Sequence, residues 1–406
     1  MSRDVRLFYC YRVISRLYFH LPVLFLHLYN VEMGLYNVIV LLAVYGLITT
    51  VTSNLGSTLM PYMRQKDLVA SGEMLKVVGL AVLINGTSLG GVNFWEVLIA
   101  QIIGGCGFSL AISMDAGVLR NITASGGNEL FTRVQTKSQS MMFIATLVAG
   151  SLGSILYDYH VHWPFYASMC VSLTSSLLVF MVHEEKKPAP PKKASAPGAA
   201  GGGKPKLQLD ASQTFWMNFY SLSRAFTLAP FIGILPFYFI ELQVDPYLFG
   251  SVLGLFTMAG FITALYSNAF LKRFGLSALL AATLVSMVGS MLLFGFSEWF
   301  SLHGIDYFLI GLVAIGLLGL GSGGVRPVTM GNINLAALPP EQRPRLLGTM
   351  ERNFGVYNGI LLFIGGYLLA EHGFQATMLI LCVIYVLVIG VLFSTASSSV
   401  AQPAEG

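Results

Sequence analysis

The chain has 406 residues, of which 55% are hydrophobic and only 10% charged, and its mean hydropathy is +0.71. Soluble domains carry about 25% charged residues, so the composition excludes a water-soluble globular protein. The net charge of +4 is small, and its distribution, described below, does not suggest nucleic acid as a partner.

A run of about 20 apolar residues spans the hydrocarbon core of a bilayer. Twelve such runs follow one another, at roughly 7–29, 35–60, 74–90, 93–119, 137–157, 163–183, 213–241, 246–271, 277–297, 305–330, 347–370 and 374–394. Backbone polar groups must be satisfied internally in lipid, so each run predicts a helix. The alternating segments of about 10 residues that a membrane β-barrel needs are not present.

The first run is too long for a secretory signal and lacks a small-residue cleavage site, so it is expected to be retained. It carries Arg12, Arg16 and His20 at intervals of four, which on an unbroken helix fall within an arc of about 80°. A charge in the bilayer costs at least about 2.5–3.5 kcal/mol, so this stripe is expected to face the bundle interior. Arg12 lies close enough to the end to snorkel. Arg16 and His20 lie deeper, and His20 titrates near neutral pH and so suits proton transfer. In the fourth run Asp115 lies at a similar depth to Arg12 and Arg16, the nearest cations by depth. This predicts an Arg–Asp pair, taken as Arg16–Asp115, acting as a structural lock or a gate, or else a substrate contact.

Residues 183–210 read HEEKKPAPPKKASAPGAAGGGKPKLQLD. That composition cannot bury a core and predicts a disordered linker over 184–212. The chain is thereby divided into 1–183, the linker, and 213–406, with six runs on either side. In the second half Arg224 sits well inside its run without an acidic neighbour. Arg326 in the tenth run and Glu351 at the start of the eleventh predict a second ion pair. Arg224 is then left facing the interior as an anion-binding residue with Arg16 as its counterpart. Two such guanidinium groups favour a carboxylate, phosphate or phenolate ligand.

Of the 23 lysines and arginines, 19 fall in one set of alternating gaps and the helix ends beside them, and the other four, Arg12, Arg16, Arg224 and Arg326, sit inside runs in the halves nearer those gaps. Cationic loops stay in the cytoplasm, so an even number of crossings with both termini inside is expected. The gaps of the other face hold acids and histidines. Among these, Asp158, His160 and His162 have a spacing compatible with a metal, but they read as what remains once Lys and Arg are excluded. Cys10, Cys106, Cys170 and Cys382 lie in apolar runs without metal spacing. No P-loop, nucleophile elbow or zinc-protease motif occurs, so no enzyme, cofactor or metal centre is expected.

The two halves repeat. Ser15, Arg16 and Pro22 match Ser223, Arg224 and Pro230 at an offset of 208. Leu98, Asn121 and Ile122 match Leu309, Asn332 and Ile333 at 211, a register that sets Asp115 against Arg326. Arg133 and Gly153 match Arg345 and Gly365 at 212. Three ordered matches at nearly one offset predict a parallel six-helix repeat. With its twelve runs and central linker, the whole chain resembles the major facilitator superfamily. The loop motif after helix 2 persists only as Gly56 and Arg64, and its repeat after helix 8 as Arg273 and Gly275. The exporter motif of helix 4 survives as an echo in Gln101, Gly104, Gly105 and Gly107.

The resemblance implies an all-α integral membrane protein of twelve helices in two pseudo-symmetric bundles. A midplane cavity lies between them, lined by helices 1, 4, 7 and 10 and their neighbours 2, 5, 8 and 11. Helices 3, 6, 9 and 12 face lipid. The expected function is secondary active transport by alternating access in a bacterial inner membrane, as a monomer. Efflux of a small amphipathic or anionic metabolite, siderophore or drug, possibly proton-coupled, comes first. Import of an organic anion is the nearest rival, and a non-transporting sensor or assembly partner of the same fold is the reading from another class.

Overall fold

The computed structural model describes residues 2–60, 62–88, 91–124, 127–183, 209–333 and 343–400. Among them there is no strand; fifteen α-helices carry the chain. The first half comprises α1 (Arg3–Ile14), α2 (Leu21–Asn30), α3 (Leu35–Val51), α4 (Leu55–Leu59), α5 (Gln65–Gly86), α6 (Phe94–Ile122), α7 (Gly127–Tyr159) and α8 (Trp163–Phe180). The second comprises α9 (Ala211–Gly233), α10 (Leu235–Glu241), α11 (Pro246–Phe274), α12 (Leu276–Gly295), α13 (Ser297–Leu302), α14 (Tyr307–Asn332) and α15 (Arg343–Val400).

By length and composition, eight helical stretches among the described residues can cross a membrane, while α2 and α3 are shorter apolar helices. The eleventh and twelfth runs lie together in α15, which breaks at Gly373, where φ is +77°. Glycine is the residue that takes this conformation without a Cβ penalty. Large apolar side chains such as Val51, Leu177, Leu265, Val285, Leu387 and Val391 are exposed, as lipid-facing positions are. Exposed Trp95, Trp163 and Trp299 sit at or near helix starts on the face that the charge pattern makes external.

The first apolar run is two helices, not one. α1 ends at Ile14 and α2 begins at Leu21. Pro22 has no N–H to give to residue 18, and its ring disfavours helix in the residue before it. The opened backbone finds partners on α7 and α8. The Thr146 hydroxyl donates to the Arg16 carbonyl at 3.4 Å, and the His20 N–H donates to the Ser168 hydroxyl at 3.2 Å. Gly153 lies against the Phe19 backbone so closely that any Cβ there would overlap the carbonyl. The seventh run is interrupted too, at Ile234 between α9 and α10, two residues before Pro236.

Residues 184–208, most of the expected linker, lie outside the described residues. Its expected end at 212 moves back. Asp210 caps α9 by accepting from the Gln213 N–H at 2.6 Å, while the Gln213 side chain accepts from the Asp210 N–H, a capping box that starts the helix at Ala211.

Within the first half α5 packs on α6 and α8, and α3 on α6. Within the second α9 packs on α15, and α14 on α11 and α12. Two seams join the halves: α7 with α11, and α3 with α15. At the first the Gly150 and Gly250 backbones touch, the Gly250 N–H donates to Ser154 Oγ at 2.7 Å, and Ser251 bonds Ser151 at 3.1 Å. The ring centroids of Tyr29 on α2 and Phe237 on α10 are 6.0 Å apart, which draws the halves together on that same side.

Candidate functional site

A cavity of about 1420 Å³ lies between the halves. Its wall is mostly apolar and aromatic, from Phe25, Leu42, Phe108, Phe231 and neighbours. The wall includes Gly150 and Gly250 at the α7–α11 seam. It reaches Arg345 and Arg352 near the start of α15, the cation-rich end of the bundle. The cavity is therefore continuous with the basic face and bounded by the glycine–serine seam.

Among the described residues, the cationic side chains Lys76, Arg224, Arg345 and Arg352 and the carboxylate of Glu351 line it. Lys76 lies 11 residues into α5, about 16 Å along it at 1.5 Å per residue, and Arg224 about 20 Å along α9. The two therefore stand well inside their helices, one on each half. Ser109 Oγ and Asn358 Oδ1, on residues that line the wall, are buried without a hydrogen-bond partner among the described residues. A buried polar atom without a partner costs roughly 1–3 kcal/mol.

Arg224 is not the free cation that the sequence suggests. One guanidinium nitrogen lies 2.6 Å from Glu351 and 2.5 Å from the Tyr220 hydroxyl, which itself donates to Glu351 at 2.6 Å. The guanidinium stacks 4.3 Å above the Phe354 ring. The Arg224 and Glu351 side chains remain 36% and 50% exposed, so the pair faces the cavity and water. The expected Arg326–Glu351 pair does not form. Arg326 is exposed and makes no ion pair among the described residues.

In the first half the partner of Asp115 is Arg12, not Arg16. Arg12 Nε donates to Asp115 Oδ2 at 3.1 Å, and its Nη1 donates to Gln135 at 2.6 Å and to Ser138 at 2.7 Å. Arg12 is 3% exposed, so it is held inside the protein and does not snorkel. The helix break explains the exchange. Arg16 leaves the helical stripe, turns to the Tyr18 hydroxyl at 2.9 Å, and keeps a buried Nε without a partner. His20 sits at the start of α2, with Nδ1 2.8 Å from Ser168 Oγ, and faces the cavity. Asp158, His160 and His162 do not converge; among the described residues no three His, Cys, Asp or Glu side chains could hold a metal.

Two site residues were missed from the sequence. Glu73 and Lys76 form an ion pair of 2.5 Å on α5. The third run was drawn from 74, which left Glu73 outside and Lys76 at the edge, whereas the helix begins at Gln65. The available signal was an acid and a base three residues apart entering an apolar run.

The sequence profile described as the Major Facilitator Superfamily matches residues 75–316 and 217–405. The chain belongs to that superfamily, whose fold and members are those of transporters. Similar folds include a mutant of the nucleoside transporter NupG (TM-score 0.75, 13% identity, covering 97% of this chain and 99% of that one). A bacterial homologue of the iron transporter ferroportin, in an inward-facing state, gives a TM-score of 0.71 at 16% identity, covering 98% and 100%. A D-xylose–proton symporter gives 0.74 at 13%, covering 96% and 97%. At such identities the likeness concerns the fold alone. No curated protein matches the sequence.

Proposed function

We propose that the chain is a secondary transporter that exports a small, partly apolar organic anion across the cytoplasmic membrane by alternating access. The observation that carries this reading is the cavity between the halves, apolar over most of its wall, to which one half presents the Lys76 ammonium and the other the Arg224 guanidinium. A rigid guanidinium on α9 and an ammonium on α5 suit one anionic group approached from both sides. The apolar remainder suits a hydrocarbon or aromatic body. The cavity continues to the basic end, which the charge rule assigns to the cytoplasm, and that is the loading position for an exporter.

The test is metabolite profiling of cells with and without the gene, inside and outside. An organic anion retained in cells lacking the gene supports the proposal. An anion left unconsumed in the medium reverses the direction and keeps the cationic site. A neutral or cationic compound in either place overturns the reading.

A further inference from the structure

Helix 3 of this fold is expected to face lipid, yet here it supplies a cation to the cavity. The cause is a glycine contact. Gly72 and Gly79 on α5 lie against α6 so closely that a Cβ on Gly72 would stand 2.6 Å from the Gly107 carbonyl, and one on Gly79 would stand 2.9 Å from the Gly104 nitrogen. Small residues let two backbones approach in this way. With α5 drawn in, Lys76 and Gly79 both reach the cavity wall. Lys76 Nζ stands 5.5 Å from the Tyr18 ring centroid on the opened segment between α1 and α2.

Behind Lys76 lies Glu73, 1% exposed. The ammonium 2.5 Å away compensates the carboxylate, and no well-aligned hydrogen bond reaches Oε2. The other charged and titratable groups that act on Glu73 come from the elements around it. They are Tyr11 and Arg16 in the first run, Tyr45 on α3 and Asp115 on α6. Between α5 and α8 the Ser176 hydroxyl donates to the Ala70 carbonyl, and the Lys66 ammonium of α5 donates to the Phe180 carbonyl. A buried carboxylate that loses the cation in contact with it is strongly destabilised, and it escapes that cost by taking a proton.

We propose that Glu73 and Lys76 form a linked site for a carboxylate and a proton. This rests on the reading of the cavity as an anion site. A carboxylate solute entering the cavity takes the Lys76 ammonium as its counter-ion. Glu73 gives up that counter-ion and accepts one proton, drawn ultimately from water, becoming a neutral acid. One anion and one proton have then bound and no net charge has been added, so a monocarboxylate crosses with its proton and without moving charge.

The experiment uses the full chain purified in detergent. Infrared spectra at neutral pH, read at the protonated carboxyl stretch, are compared for wild type, E73Q, K76M, and K76M with E73Q. K76M removes the ammonium as the solute would. It should gain a protonated carboxyl band that the double variant lacks, while wild type shows none that E73Q removes. Superimposable spectra for K76M and the double variant overturn the proposal. If K76M does not fold, the wild-type spectrum is followed on acidification. A reversible band absent from E73Q then supports the site, and no such band before unfolding overturns it. The two readings fail separately: an exported carboxylate without the infrared band removes the proton site alone, and the band without any transported anion removes the anion reading.

Discussion

Arg12 and Arg224 are both arginines inside apolar runs, and their surroundings give them opposite tasks. Arg12 is enclosed, with Asp115, Gln135 and Ser138 each engaged by its guanidinium. Breaking a buried pair by removing one partner costs about 3–5 kcal/mol, because the other charge stays behind. Arg12→Ala should therefore lower the thermal stability of the purified protein markedly, and Arg12→Met with Asp115→Leu should recover part of the loss. A melting temperature for Arg12→Ala within a degree of wild type would contradict this structural role. Arg224 is exposed to the cavity and leans on Phe354 and Tyr220. Arg224→Ala should leave melting nearly unchanged and reduce export at least about tenfold, the effect of losing roughly 1.4 kcal/mol of binding. Normal export by the folded variant would remove Arg224 from the anion site. Which arginine does which was not legible in the sequence. Depth along a run was available, and it placed Asp115 near Arg12 and Arg16 together. The choice between them depends on a helix break whose hydrogen-bond partners, Thr146 and Ser168, lie more than a hundred residues away.

At the scale of elements, the repeated Ser-Arg and Pro motif lies in two helices that are both interrupted, and the matched glycines meet both interruptions. Gly153 presses on the Phe19 backbone in the first break. At an offset of 212 Gly365 meets Ile234 at the second, where a Cβ would lie 2.9 Å from the Ile234 Cδ1. The repeat was legible as sequence, but the two breaks are not at matched positions. At the offset of 208 Phe19 falls on Thr227 inside α9, the matched Pro230 is helical, and the second break lies beside Pro236. The two contacts differ in kind. A methyl at Gly153 meets backbone that cannot yield, whereas one at Gly365 meets the tip of a side chain that can rotate. Gly153→Ala should cost about 1–3 kcal/mol, as overpacking does, and Gly365→Ala less. Thermal melting of the two variants checks the order, and an equal or larger loss for Gly365→Ala would refute it. The ion pairs do not follow the repeat. The first half joins α1 to α6 through Arg12 and Asp115; the second joins α9 to α15 through Arg224 and Glu351. The register that set Asp115 against Arg326 is preserved in the helices and not in the pairing. Backbone repeats need only similar packing, while a charge pair needs one particular rotamer on each side.

For the whole molecule, hydropathy was enough to read the all-helical membrane fold, because bilayer thickness and backbone satisfaction leave few alternatives. The cavity's Lys76 was not legible, since its reach depends on how closely α5 lies to α6. The geometry also separates what moves from what holds. If transport exposes the cavity to the other face, the α7–α11 seam has to open. Gly150, Gly250, Ser151 and Ser251 form that seam, and the two serine hydroxyls lie 3.1 Å apart. Cysteines replacing Ser151 and Ser251 are near enough for a disulfide. With Cys10, Cys106, Cys170 and Cys382 replaced by alanine, oxidation of this variant should hold the seam shut and stop export of the compound found by profiling. Reduction should restore it, and the two single-cysteine variants should be indifferent to oxidant. Export at an unchanged rate by the fully cross-linked protein would mean that the seam stays closed throughout the cycle, and that the solute leaves by a path between other helices.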